Sequence, residues 1–200
     1  MRNTLIKFGL MTFSVLGLAA CQKVDPLGSL PHAGDIVFTE IMPLYTAGGS
    51  NWVELYNTSN TTIQLQKCII NNKTGQILTI SESLIVEPEH FAVFSSNSVK
   101  STTLPLSLSQ PNFDFPVDDF QVNSNETLSL LCNNRLIDQI TYDVNSPEYM
   151  NITTSWQRHY RPNEPADSIS NAWCHTNPLE HYEYGSAKFA TPGRANSFCS

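Results

Sequence analysis

The sequence is short of charge, and of positive charge above all. Lys and Arg number 11 against 18 Asp and Glu, charged residues make up 14% of the chain, and the formal net charge at pH 7 is −7. No run of basic residues occurs. Nucleic acid and anionic lipid are bound through clustered Lys and Arg, so neither is expected as a generic ligand of this chain.

The sequence also lacks the short motifs of common active sites. It contains no Gly-x-Ser-x-Gly elbow, no Gly-rich loop that would cradle a phosphate and no Cys-x-x-Cys pair. These absences argue against a serine hydrolase of the elbow type, against nucleotide binding and against a zinc site of ordinary spacing. We therefore expect a protein without catalytic residues or cofactors.

Helical periodicity is missing after the first twenty residues, and strand patterns take its place. Alternating runs separated by Gly, Pro and Asn predict an all-β sandwich or barrel. One run places Ile36, Phe38 and Glu40 on the same face. Two hairpins are predicted, Cys68–Ile70 with Gln76–Ile80 and Glu126–Cys132 with Arg135–Tyr142. The stretch Lys100–Pro116, rich in Ser, Pro and Leu, is predicted to be a long loop.

The first twenty-one residues have the composition of an export signal. Arg2 and Lys7 precede an apolar run that ends in Leu18-Ala19-Ala20-Cys21. A basic start, a short apolar core and a small-residue cleavage site are typical of a secretory signal peptide. A Cys directly after the small residues resembles the lipobox of bacterial lipoproteins, which implies cleavage before Cys21 and acylation of its thiol. We expect residues 1–20 to be removed and residues 21–34 to form a lipidated, flexible tether to a domain spanning 35–199.

The other four cysteines predict disulfides. An even number of cysteines in an exported chain is typical of disulfide bonding, and four allow three pairings. The strand-like runs around Cys68 and Cys132 favour that pair, which leaves Cys174 with Cys199. A zinc site is the rival interpretation, but no ligand spacing supports it.

In order along the chain, several short motifs together resemble the lamin tail domain family. They are Thr39-Glu40-Ile41-Met42, Trp52-Val53-Glu54-Leu55-Tyr56-Asn57, the strand Leu128–Leu131, Leu136-Ile137-Asp138-Gln139-Ile140-Thr141-Tyr142, Ser155-Trp156-Gln157-Arg158 and Thr191-Pro192-Gly193-Arg194-Ala195-Asn196. The resemblance implies an immunoglobulin-like β-sandwich without common catalytic residues. Some bacterial members pair cysteines around the last motif, which supports Cys174–Cys199. The chain departs from the family at Cys68, where many members have Gly-Trp.

Three groups of side chains have a chemical interpretation besides the structural one. Glu40 and Glu54 lie on neighbouring predicted strands, where they form either a carboxylate pair for acid–base or cation chemistry or, as favoured here, groups that order backbone at strand ends. The acidic residues Asp114, Asp118 and Asp119 are interpreted as a solvated loop rather than a calcium site, because EF-hand spacing is absent. The tryptophans are interpreted as core rather than as a binding platform; they are Trp52, Trp156 and Trp173.

The C-terminal third carries the alternative to a non-catalytic function. His175 and His181, with acidic neighbours, are the weak candidates for a metal site or a metal-dependent hydrolase, although their spacing matches no recurrent motif. Solvated loop residues are the favoured interpretation. We expect a lipoprotein of the bacterial envelope, held at the outer membrane by acylated Cys21, that binds an envelope protein or glycan. The loops Lys100–Pro116 and His175–Tyr184 are the predicted contact surfaces.

Overall fold

The computed structural model describes residues 28–43, 51–96, 112–115, 120–143, 154–158, 173–176, 182–184 and 188–196. Within these ranges the chain forms fourteen β-strands and no helix, which confirms the predicted all-β class. The strands are β1 (Ile36–Met42), β2 (Trp52–Asn57), β3 (Ile63–Gln64), β4 (Cys68–Asn71), β5 (Ile77–Thr79), β6 (Ile85–Val86), β7 (Phe91–Ser96), β8 (Asn112–Phe115), β9 (Asn125–Cys132), β10 (Arg135–Asp143), β11 (Trp156–Arg158), β12 (Trp173–His175), β13 (Tyr182–Tyr184) and β14 (Lys188–Ala190).

Two larger sheets and two small ones account for all of these strands. The first has six strands in the order β12-β11-β1-β2-β7-β8, and the second has four in the order β10-β9-β4-β5. Strands β13 and β14 form one two-stranded sheet, and β3 and β6 form the other. Neighbouring strands are antiparallel except β7 and β8, which are parallel. This is the architecture of a sandwich built mainly from antiparallel pairs.

The core consists of apolar side chains contributed by both larger sheets and by the segments that connect them. It includes Ile36, Phe38, Ile41, Val53, Leu55, Ile70, Phe94, Phe120, Val122, Leu128, Leu130, Ile140 and Trp156. Trp173 packs against this core partly buried, and Trp52 is fully buried on the other face of its sheet. The interpretation of the tryptophans as structural residues agrees with these positions.

Both predicted hairpins are present, and a disulfide joins them. Asn133 and Asn134 connect β9 to β10 with φ of 51° and 61°, values that Asn tolerates better than most residues. Strand β4 pairs with β5 on one side and with β9 on the other. This pairing places Cys68 directly opposite Cys132, and the two form the predicted disulfide.

A β-bulge at Thr39 changes the direction in which Glu40 points. Phe38 lies opposite Leu55, but the next pair is Glu40 with Glu54, so β1 contains one extra residue here. Because one extra residue shifts the alternation of side chains, Glu40 leaves the core-facing side that Phe38 occupies. The prediction that Glu40 shares a face with Phe38 is therefore wrong.

Two segments predicted to be loops contain strands. Residues Asn112–Phe115, inside the predicted loop Lys100–Pro116, form β8 as an edge strand parallel to β7. The flanking prolines and the absence of a local partner concealed it, because a parallel neighbour is distant in sequence. The predicted loop His175–Tyr184 begins within β12 and ends within β13, so it is not an irregular stretch throughout.

The packed domain begins earlier than residue 35. Ser29 bridges to Ile63, its N–H donates to the carbonyl of Thr62 at 3.0 Å, and its own carbonyl accepts from Gln64 N–H at 2.9 Å. Gly28 adopts φ of +79° in this contact. The last residues of the predicted tether are therefore part of the domain. Of the described residues, none forms a helix with the length and apolarity needed to cross a membrane.

Candidate functional site

The structure brings Glu40 and Glu54 together as a fully buried pair. They lie directly opposite each other on β1 and β2, with side chains on the outer face of the six-stranded sheet. Both residues have an exposed fraction of 0%. Two carboxyl groups at opposed positions of neighbouring strands repel when both are ionised, and burial makes each charge still more costly.

Hydrogen bonds from three separate parts of the chain converge on Glu40. Its Oε1 accepts from the backbone N–H of Thr191 at 2.9 Å and from the hydroxyl of Ser155, and the hydroxyl of Thr176 lies 3.4 Å away. Its Oε2 is 3.0 Å from the hydroxyl of Thr191. The carboxyl therefore joins β1 to the ends of β11 and β12 and to the C-terminal segment.

Glu54 has fewer partners, and they too come from this chain. Its Oε1 accepts from the Thr39 hydroxyl at 2.7 Å, and its Oε2 accepts from the backbone N–H of Gly193 at 2.5 Å. All four carboxyl oxygens of the pair are consequently bonded by the protein itself. The favoured interpretation, in which the two glutamates order backbone, describes their contacts, although they also form the carboxylate pair that was the alternative.

Burial shifts the protonation of both groups. It raises the pKa of Glu40 from 4.5 to about 7, against the opposing effect of hydrogen bonds from Ser155, Thr191 and Thr176. It raises the pKa of Glu54 well above its ordinary value, and the neighbouring Glu40 charge adds to this effect. Because the two groups interact strongly, their protons belong to the pair and leave it in two steps.

The segment Thr191–Asn196 covers the pair from outside the sheet. Asn196 donates through Nδ2 to the carbonyl of Thr39 at 2.7 Å and to that of Arg158 at 2.9 Å. Just before this segment, Ala190 packs in a second, smaller apolar cluster. The other members of that cluster are Met42, Trp52 and Val93. The segment and the residue before it thus contact polar and apolar side chains, respectively, of the same sheet face.

A partly buried acid, Asp138, links the two large sheets. Its Oδ2 accepts from the backbone N–H of Phe38 at 2.8 Å and lies 3.6 Å from Nη1 of Arg158. Burial raises the pKa of Asp138 and lowers that of Arg158, and their attraction opposes both shifts. Sequence reasoning quoted Asp138 only as part of a motif. The β-bulge that precedes it in β10 and the distant N–H that it accepts leave no local signal.

The candidate metal ligands are not brought together in the described residues. His175 lies in β12, where Nδ1 is 3.0 Å from the Thr154 hydroxyl and the ring meets Trp156 edge-on at 5.0 Å. His181 lies outside the described residues, so the pairing is not tested. Within the described ranges, no group of three or more His, Cys, Asp or Glu is arranged to hold a metal ion.

The remaining predicted sites lie partly or wholly outside the described residues. Cys21 and Cys199 are outside them, and so are Asp118 and Asp119. Cys174 lies in β12 and is disulfide-bonded. Its predicted pairing with Cys199 stays a prediction, as does the lipidation of Cys21. Asp114 also lies in a described strand, β8.

Comparison with known sequences agrees with this architecture. No curated protein matches the chain. The family described as Lamin Tail Domain matches residues 30–143, which is more than half of the chain and includes strands β1 to β10. The matched region contains both glutamates of the buried pair and Asp138 but ends before the segment that covers the pair. This chain belongs to the Lamin Tail Domain family.

Proposed function

We propose that this protein is a non-catalytic binding domain that is tethered to the bacterial envelope by an acylated Cys21 and that recruits a partner protein there. One observation carries the non-catalytic part. Glu40 and Glu54 are the acids best placed for acid–base chemistry, and their four oxygens all bond the protein's own groups with no exposed surface. A general acid or base must instead reach a substrate atom or a water.

The outer face of the four-stranded sheet supports the binding part. Ile69, Leu131 and Leu136 lie side by side across β4, β9 and β10, because Ile69 pairs with Leu131 and Leu131 pairs with Leu136. Ile69 and Leu131 are half-buried, and Leu136 is 50% exposed. An apolar stripe on a rigid sheet is a surface that a partner protein can cover.

Anchoring and binding are tested separately. Cys21→Ala is expected to abolish acyl labelling and membrane retention, since stable anchoring depends on the lipid. Retention of the label would refute the lipobox interpretation.

For binding, in-cell cross-linking of the wild type is expected to yield an adduct with a partner protein, and Leu136→Asp is expected to remove this adduct. Ile85→Asp is the matched control, because Ile85 is 36% exposed on the separate sheet of β3 and β6. Adducts that survive both substitutions would place the partner elsewhere.

Catalysis is tested directly as the competing function. Nuclease, esterase and phosphatase activities of the full chain are measured with and without zinc, calcium and magnesium, and none is expected. A metal-dependent activity lost in both His175→Ala and His181→Ala would favour the hydrolase alternative. An adduct that contains glycan instead of protein would change the class of partner.

A further inference from the structure

The contacts of the Thr191 hydroxyl need one more hydrogen than the hydroxyl itself carries. The hydroxyl of Thr191 lies 3.0 Å from Oε2 of Glu40, 2.8 Å from Oδ1 of Asn196 and, at the limit of a hydrogen bond, 3.5 Å from Oε1 of Gln157. Nδ2 of Asn196 donates to two backbone carbonyls, and this arrangement orients the amide so that Oδ1 faces Thr191. An amide oxygen and an ionised carboxylate both only accept hydrogen bonds, so the single hydrogen of the hydroxyl cannot serve both, and we assign it to the shorter contact, the one with Asn196.

The remaining contact is then satisfied by a hydrogen on Glu40. With its own hydrogen committed, Thr191 Oγ1 can only accept, and the partner at 3.0 Å is Oε2 of Glu40. A protonated Oε2 donates to the hydroxyl, while Oε1 still accepts from the N–H of Thr191. The docked segment therefore fits a neutral Glu40, in which Oε1 accepts a hydrogen bond and the protonated Oε2 donates one. Ionised Glu40 would leave two acceptors facing one another.

Among the residues that the structure describes, no positive charge near the pair would compensate two ionised carboxyl groups. Gln157 of β11 lies opposite Glu40, and Cys174 of β12 lies opposite Gln157; neither carries a positive charge. On these strands, Arg158 is directed towards Asp138 of the other sheet, and the ring of His175 packs edge-on against Trp156. In the C-terminal segment, Arg194 is exposed. Among the described residues, no cation bonds either carboxyl.

We propose that Glu40 and Glu54 form a proton-operated latch, in which Glu40 holds a proton while Thr191–Asn196 is docked and the segment undocks when that proton leaves. Release frees the N–H groups of Thr191 and Gly193. The latch is a property of the fold and does not depend on the proposed partner or on the lipid anchor.

Hydrogen exchange of the wild-type full chain measures the latch directly. Protection factors, which are corrected for intrinsic exchange, are determined by NMR for the amides of Thr191 and Gly193 at pH 6 and pH 8.5. We expect them to fall about tenfold or more, because the pKa of Glu40 lies near 7 and each pH unit above it changes a one-proton equilibrium about tenfold. The amide of Leu130 in β9 is the internal reference and is expected to keep its protection.

The variant Glu40→Gln distinguishes the effect of the Glu40 proton from the effect of the side chain's shape. Gln supplies the donor and the acceptor of neutral Glu40 at every pH, so the variant is expected to keep the wild-type protection of Thr191 and Gly193 at pH 6 and to retain it at pH 8.5. Glu82→Gln removes one exposed carboxylate elsewhere and is expected to respond to pH as the wild type does.

Each contrary result overturns the proposal. Equal pH responses in wild type and Glu40→Gln show that another group operates the segment. A Glu40→Gln protein that has lost protection at pH 6, or that does not fold, shows that the ionised carboxylate is what the docked state needs. Wild-type protection that does not change between the two pH values shows that the segment does not respond to protons at all.

Discussion

Removing the disulfide between Cys68 and Cys132 is predicted to have a large effect on stability. The bond closes a loop with a sequence separation of 64, for which the loop-entropy relation gives a stabilisation of about 4 kcal/mol. With a urea m-value of about 2 kcal/mol per molar, the midpoint of unfolding would fall by about 2 M. Cys68 and Cys132 are 0% and 3% exposed, so reductant reaches them only after unfolding. The reduced sample is therefore unfolded and refolded in reductant.

The measurement must separate the effect of this cross-link on stability from that of the Cys174 disulfide and from that of the cavity left by the Cys→Ala substitutions. Urea unfolding is followed by circular dichroism for the wild type and for Cys68→Ala/Cys132→Ala, each oxidised and reduced. Reduction of the variant reports on Cys174 alone, and reduction of the wild type reports on both disulfides. The difference between the two effects isolates the Cys68–Cys132 cross-link, because the cavity is present in both states of the variant. A difference below about 1 kcal/mol would refute the loop-entropy reasoning.

Three further predictions concern buried acids and glycines. Folding raises the pKa of Glu40 from 4.5 to about 7, so between these pH values the native state binds more protons than the unfolded state. The contribution of this group to the unfolding free energy should therefore fall by up to about 3 kcal/mol as pH rises through that range. Urea titrations in which the unfolding free energy of Glu40→Gln has the same slope against pH as that of the wild type would contradict this. Glu126→Gln should destabilise by about 1–3 kcal/mol, because this buried carboxylate accepts from two backbone N–H groups and an amide, and a Gln nitrogen would face a donor; an unchanged melting temperature is the opposing result. Gly28→Ala should cost more than Gly75→Ala, since both have positive φ but only at Gly28 would a Cβ meet backbone atoms at 3.1 Å; equal losses in urea unfolding would show that the contact is unimportant.

The features that sequence reasoning predicted are those with local signals. The β9–β10 hairpin is marked by a turn of Asn133 and Asn134 between alternating runs, and the β4–β5 hairpin by a turn that ends at Gly75. The pairing of Cys68 with Cys132 followed from assigning both to strands. Alternation along β2 likewise separates Trp52 and Glu54 from Val53 and Leu55, which belong to the core. In each case neighbouring residues carry the information.

The features that could not be predicted from the sequence depend on residues far apart in the chain. The bulge at Thr39 is set by pairing with another strand, and one extra residue is enough to move Glu40 to the opposite face. Glu40 and Glu54 were recognised as neighbours, but their partners Thr191 and Gly193 follow 151 and 139 residues later. No periodicity spans such a separation, so the protonation chemistry of the pair became visible only with the structure.

The C-terminal segment also has a consequence for the kinetics of folding. Contacts between residues separated by 151 positions raise the contact order, and chains dominated by such contacts fold slowly because large loops must close before the contacts form. Trp52 and Met42 pack against Ala190, which lies near the other end of the domain sequence. Their side of the sheet is therefore covered only when that end of the chain is in place. Docking of this segment is a natural last step of folding. Until this end of the chain docks, we expect Trp52 and Met42 to stay exposed to solvent, where they can contact other chains.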